Sequence, residues 1–251
     1  MAFSGRHEGN EAMRLNKWLA HAGVCSRREA DELIAAGRVQ INGVTVTDAG
    51  RKVEPGQTVN LADDAIDSLD GVTLVINKPV GYVSGQPEPG KIPAVRLLTF
   101  ANQIGPGPVP ARDASLPPIG RLDEDSHGLL LLSSDGVVAR AVISPQSTLT
   151  KEYVVSVTGA VTEQALSRLR HGLELDGRKL KPARVTQIRS HELRFVLNEG
   201  RKRQIRRMCD LVGLHVHDLQ RIRIGPLELG DLPEGRWRYL TASERTQLIQ
   251  A

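Results

Sequence analysis

Four short groups of residues carry side chains at spacings that could support chemistry. They are Asn77-Lys78-Pro79 with Gly81, Gly120-Arg121-Leu122-Asp123, Lys151-Glu152-Tyr153, and the run from Glu199 through Arg201, Lys202, Arg203, Gln204, Ile205, Arg206 and Arg207 to Met208. Taken alone, an arginine two residues before an aspartate is most simply a turn ion pair of little energetic worth. Together the groups offer more: a single carboxylate can act as nucleophile or base, a tyrosine can stack on a planar base, and clustered arginines can hold phosphates. From Gly200 to Arg223 the chain has seven basic residues, Arg201, Lys202, Arg203, Arg206, Arg207, Arg221 and Arg223, against Asp210 and Asp218, a local charge of +5. A solvated helix face accounts for one or two of these, and phosphate contact is the economical account of the rest. A metal is not expected. His215-Val216-His217 lacks a surrounding Cys, Asp or His cluster at ligand spacing, and His127 receives no catalytic role.

The elements that must position these groups read as mixed. Val72 to Ile76 and Leu129 to Leu132 are compact apolar runs that suit buried strands. Tyr153 to Val157, Val185 to Ile188 and Leu193 to Leu197 are further strands. Short helices are expected at Val137 to Ile143, at Thr162 to Leu169, and at Arg203 to Val212, whose apolar face is Ile205, Met208, Cys209 and Val212. Gly85 to Pro118 is rich in Pro and Gly, and a stretch of that length is expected to border the functional cleft. The fold class is α+β, with a mainly antiparallel mixed sheet around a central cleft.

A smaller unit precedes it. Leu15, Trp18 and Leu19 recur at helical spacing, and Gly23 ends that helix. Ser26 followed by Glu29 is a capping box that opens a second helix with Ala30, Leu33 and Ile34 inward. Val39 and Ile41 alternate, Asn42-Gly43 is a hairpin turn, Val44 and Val46 alternate again, and Pro55-Gly56 leads into Thr58 to Leu61. The expected organisation is a disordered tail at 1–12, this module at 13–62, a linker at 63–70, and a second domain at 71–251.

Composition agrees with such a chain. At about 150 residues per domain, 251 residues suit one large domain or one small and one medium domain. With 40% hydrophobic and 25% charged residues, most of the chain can bury a core, and wholesale disorder is excluded. The aromatic content of 3% excludes a platform that stacks many bases, so any stacking must rest on one or two rings. A net charge of +4 binds polyanions only where it is clustered. Cys25 and Cys209 cannot form a disulfide scaffold. No apolar run is long enough to span a membrane, and Met1 to Glu11 has no secretory apolar core, so the expected location is the cytoplasm.

The stretch RLNKWLAHAGVCSRREADELIAAGRVQINGVTV, closing with PGQTVNL, resembles the S4 domain, an RNA-binding module. The four motif groups, in their order from about Arg14 to Leu240, resemble the pseudouridine synthases, in particular the RsuA/RluB/RluE/RluF branch that carries an N-terminal S4 domain. The R-Q-I-R-R-M-C run and the S4 module are most similar to RluF-like members. The resemblance implies an RNA pseudouridine synthase acting on ribosomal RNA, that of the large subunit first, with small-subunit RNA and transfer RNA as alternatives. It implies no cofactor and a monomer. It gives Asp123 the central role, Arg206 that of its partner, and Tyr153 that of a ring packed on the target base. Arg121 resembles the residue that fills the gap left by a departed base. RNA contact is expected from Lys78, Lys151, Arg201, Arg203 and Arg207, and from Arg14, Lys17, Arg27 and Arg28 of the S4 module. The competing readings are a non-catalytic ribosome-associated RNA-binding protein and an S4-containing methyltransferase. A carboxylate in an RNA-facing cleft argues against the first, and the lack of a Gly-rich strand-to-helix turn argues against the second.

Overall fold

The structure is a computed structural model that describes residues 3–62, 71–85, 89–144 and 146–251, so the linker expected at 63–70 lies outside the described residues. The chain divides into two compact units, Met1–Thr73 with Ser133–Ser144, and Leu74–Leu132 with Pro145–Ala251.

In the first unit, strands β1 (Phe3–Arg6) and β2 (Met13–Arg14) precede helices α1 (Leu15–His21) and α2 (Arg27–Ala35). Strands β3 (Val39–Ile41), β4 (Val44–Val46), β5 (Lys52–Val53) and β6 (Thr58–Leu61) follow. The capping box forms as expected, with Ser26 and Glu29 each satisfying the other's backbone N–H. Asn42 and Gly43 both adopt positive φ, 49° and 80°, the twist that lets β3 and β4 pair directly. Leu15, Leu19, Ile34, Val39, Val53 and Val59 are fully buried in one core. The tail is not disordered where it is described. Strand β1 pairs antiparallel with β6, Phe3 opposite Leu61 and Arg6 opposite Thr58. His7 is buried and its Nδ1 accepts the Trp18 indole N–H at 3.1 Å. A polar composition concealed this strand, because only Phe3 and His7 have to turn inward. Helix α3 (Gly136–Ile143), also in this unit, starts at Asp135, whose carboxylate accepts the N–H groups of Val137 and Val138.

The second unit is built on one nine-stranded sheet. Its members in chain order are β7 (Thr73–Lys78), β10 (Pro118–Ile119), β11 (His127–Ser133), β12 (Lys151–Thr158), β15 (Arg184–Arg189), β16 (Glu192–Leu197), β17 (His215–Ile224), β18 (Leu227–Glu228) and β19 (Trp237–Tyr239). The order across the sheet is β15-β16-β12-β17-β11-β7-β19, with β10 beside β11 and β18 beside β17. Short strands β8 (Tyr82–Val83) and β9 (Ile92–Pro93) pair with each other, as do β13 (Glu174–Leu175) and β14 (Arg178–Lys179). Helices α4 (Glu163–Arg170), α5 (Gln204–Asp210) and α6 (Ala242–Gln250) complete the unit. Val155, Leu193, Phe195, Ile205, Met208, Cys209 and Leu214 form its principal core.

Parallel pairing joins β11 to β17, His127 opposite Gln220 and Gly128 opposite Arg221. Gly128 has φ +101°, and a Cβ there would sit 2.3 Å from the Arg221 carbonyl oxygen, so only glycine lets these strands approach. The described part of the Pro- and Gly-rich stretch, 89–118, is tied to the sheet by β19. Its 3-10 turns bury Ala94 and Leu97, Trp237 Nε1 donates to Thr99 O, and Tyr239 Oη donates to Pro108 O.

Candidate active site

The Asp123 turn lies between β10 and β11. Asp123 is half-buried and lines a concavity of about 70 Å³ together with Leu122, Ser126, Tyr153, Leu197, Ile205, Arg203, Arg206 and Leu219. Strand β12 brings Tyr153 there from its place opposite Phe195 on β16 and Arg221 on β17. Helix α5 brings the arginines, and it begins at Arg203 in the left-handed region, φ +53°. Non-glycine residues take that conformation rarely, at a cost of about 1 kcal/mol or more.

The arginines do not pair with Asp123. Arg203 makes a two-pronged pair with the Asp125 carboxylate at 3.0 and 2.9 Å. Arg206 Nε lies 3.3 Å from Asp125 Oδ2, while its two Nη atoms donate to the Val216 carbonyl at 3.0 Å, the Asp125 carbonyl at 2.7 Å and Ser126 Oγ at 3.3 Å. Burial alone would raise the Asp125 carboxyl, but the Arg203 hydrogen bond and the charges of Arg206 and Arg203 outweigh it and hold it below the usual range. Among the described residues, the Asp123 carboxylate has no hydrogen-bond or ion-pair partner. The result is a carboxylate with no partner among the described residues, lining one concavity with the Tyr153 ring and with arginines already paired to Asp125.

Two family models match the chain, that of the RNA pseudouridylate synthases over residues 72–211 and that of the S4 domain over residues 13–59. The chain belongs to the RNA pseudouridylate synthase family. It is 34% identical over 244 residues to the dual-specificity RNA pseudouridine synthase RluF of Escherichia coli K12, covering 96% of this chain and 80% of that one. It is 35% identical to the ribosomal large subunit pseudouridine synthase B of Bacillus subtilis 168, covering 94% of this chain and 95% of that one. A crystal structure of a pseudouridylate synthase superposes with a TM-score of 0.66 at 27% identity, covering 94% of this chain and 99% of that one. This synthase therefore carries an N-terminal S4 domain followed by a pseudouridine synthase domain, and its chemistry is the isomerisation of uridine in RNA.

In this synthase several expected RNA contacts are spent on the protein itself. Lys78 is fully buried, and its ammonium donates to the carbonyls of Pro79 at 2.8 Å and Tyr82 at 2.7 Å. Burial pushes its pKa down to about 8, against the opposing pull of Asp125, Glu124, Asp123 and Glu234. A phosphate cannot reach it. Lys151 is turned inward and donates to Leu149 O at 3.1 Å, its pKa lowered by burial and then by the charge of Arg221. Arg201 donates to the carbonyls of Leu175, Arg178 and Lys179, which ties the β13–β14 hairpin to the start of α5. Arg207 pairs with Asp176 of that hairpin at 3.0 and 2.6 Å. Arg223 pairs with the buried Glu152 at 2.6 Å, and Arg221 is 2% exposed.

The basic run from Arg201 to Arg223 is thus mostly internal wiring, because a guanidinium near a core must meet carbonyls or carboxylates to offset its desolvation. The expected Arg206–Asp123 pair is replaced by one to Asp125, and the acidic sequence Asp123-Glu124-Asp125 was the available signal that one carboxylate would absorb the neighbouring arginines. Arg121 is exposed, and among the described residues its side chain has no partner. Arg14, Lys17, Arg27 and Arg28 are also exposed and, among the described residues, unpaired. Among the described residues no three His, Cys, Asp or Glu side chains converge as metal ligands. His127 instead bonds Asp218 at 3.0 Å, and His215 bonds Asp210 at 3.1 Å. No described residue between 85 and 118 lines the concavity, and Lys91 forms an ion pair with Glu124 of the Asp123 turn at 2.9 Å.

Proposed function

We propose that this synthase converts a uridine of large-subunit ribosomal RNA to pseudouridine, with Asp123 as the reacting carboxylate and Tyr153 as the ring against which the uracil packs. The single observation that carries this reading is the division of labour among neighbouring acids: Asp125 takes both arginines, and Asp123 is left, among the described residues, unpaired and open to the concavity. The reaction breaks the C1'–N1 bond, turns the uracil and forms a C1'–C5 bond, after which C5 gives up its proton and N1 takes one up, an isomerisation with no net change in electrons or atoms. A carboxylate suffices for either of two roles, adding to carbon as a nucleophile or removing a sugar proton as a base. One base stacked on one ring contributes about 1–3 kcal/mol, enough to hold a flipped nucleotide. The S4 domain supplies docking through Arg14, Lys17, Arg27 and Arg28, whose charges have no partner among the described residues to compete with phosphate.

The relative in Escherichia coli is named for dual specificity, so the test must survey more than one RNA class. Pseudouridine is mapped by carbodiimide and primer extension in total RNA from cells lacking the protein, then in cells complemented with wild type or Asp123→Asn. The expected result is one or more missing stops in large-subunit RNA, restored by wild type and not by Asp123→Asn. Restoration by Asp123→Asn removes that residue from the mechanism, and a missing stop confined to transfer or small-subunit RNA overturns the substrate assignment.

A further inference from the structure

The Asp123 carboxylate has no described side-chain partner, so its direction is set by the backbone that carries it. That backbone is held from outside the turn. Ser84, just past β8 and 5% exposed, uses one hydroxyl twice on Leu122: Oγ donates to the Leu122 carbonyl at 2.7 Å and accepts the Leu122 N–H at 2.8 Å. From the opposite side of the sequence, Arg221 on β17 donates to Gly120 O at 2.9 Å and Arg121 O at 3.3 Å, while its Nε donates to Leu129 O at 2.7 Å. On the far flank, the Gly81 N–H donates to Glu124 O at 2.9 Å. Residues 120, 121, 122 and 124 therefore each have a backbone group tied to another element, and these ties bracket Asp123, which lines the concavity beside Leu122.

We propose that Ser84 is a positioning residue for the synthase reaction, acting with Arg221 to fix the Asp123 turn and so to aim its carboxylate. The inference rests on the reading of Asp123 as the reacting group. A turn that needed only stability could close with its own backbone bonds, at most requiring a cap. Here the two polar groups of the residue immediately before Asp123 are both met by one buried hydroxyl 38 positions away. Loss of that hydroxyl leaves a buried N–H and a buried carbonyl unmet, and the turn must rotate to find other partners. A displacement of about 1 Å in a reacting group lowers turnover by up to about 100-fold without altering how the rest of the substrate binds.

The test compares wild type, Ser84→Ala, Ser84→Cys and Asp123→Asn for kcat and KM on one RNA fragment, at a temperature well below each melting point. Ser84→Ala is expected to lower kcat by at least about tenfold with KM within about twofold of wild type. Ser84→Cys keeps a weak donor and acceptor of similar size and is expected to recover part of the loss, as a purely structural role would not require. It also serves if Ser84→Ala does not fold. A folded Ser84→Ala with wild-type kcat overturns the proposal, as does a loss carried equally by KM. Full turnover in Asp123→Asn, by contrast, sinks the reading of Asp123 itself; a kcat defect in Ser84→Ala in that case shows that the turn aims some other group, and the proposal falls with it.

Discussion

Replacing Arg206 separates two accounts of the site, one in which it partners Asp123 and one in which it braces Asp125. In the structure its guanidinium donates to two backbone carbonyls, Val216 and Asp125, and touches the Asp125 carboxylate through Nε. Arg206→Met removes these two charged hydrogen bonds to carbonyls, besides the longer one to Ser126 Oγ, from a site only 8% exposed. At about 1.5–3 kcal/mol for each such bond, the expected loss of stability is about 3–6 kcal/mol. The carboxylate contribution is smaller. Asp125 is nearly half exposed and keeps Arg203, so the coupling between Arg206 and the Asp125 carboxylate should be about 0.5–1 kcal/mol. The coupling between Arg206 and Asp123 should be near zero.

Urea unfolding of Arg206→Met, Asp125→Asn, Asp123→Asn and the two double variants measures both couplings directly. The same Arg206→Met protein should lose kcat more than RNA affinity, because the Asp125–Ser126 backbone it supports adjoins the reacting carboxylate. A coupling to Asp123 above about 1 kcal/mol, with none to Asp125, would refute the bracing account and restore the direct pair.

Three further outcomes follow from the same geometry. Lys78 is charged and buried below pH 8 but solvated when unfolded, so the unfolded chain binds the extra proton between about 8 and 10.5, and stability should rise with pH across that window. The stability of wild type minus that of Lys78→Met should increase by up to about 3 kcal/mol from pH 8 to 10.5, and a flat difference would show that the ammonium is not desolvated. Cys25 and Cys209 are buried with thiols pushed up to about 12, so neither should react with iodoacetamide at pH 8 faster than the chain unfolds; rapid native-state labelling of either contradicts its burial. Arg27→Gln with Arg28→Gln should weaken RNA binding and reduce the slope of log K against log salt by about 1.5, leaving kcat unchanged, and an unaltered slope would remove these two residues from the RNA contact.

The features that the sequence by itself determined are local ones. The Ser26–Glu29 capping box, the Asn42-Gly43 turn, the Thr162 start of α4 and the buried runs of β7 and β11 are decided by residues within a few positions of one another, where propensity and capping energies act. The order of the four motif groups likewise marked the family without any structure. What the tertiary structure decided is which of many similar charges is free. Arg201, Arg203, Arg206, Arg207, Arg221 and Arg223 look alike in the sequence, yet their partners lie up to about a hundred positions away, Gly120 for Arg221 and Asp125 for Arg206 among them. The same holds for Lys78, whose burial depends on the surrounding sheet, and for Ser84, whose hydroxyl has no sequence signal linking it to Leu122. The physical reason is desolvation: a charge or hydroxyl carried into a folded interior must take whatever polar group the fold brings within about 3 Å, and that neighbour is set by long-range packing rather than by the residues beside it in the chain.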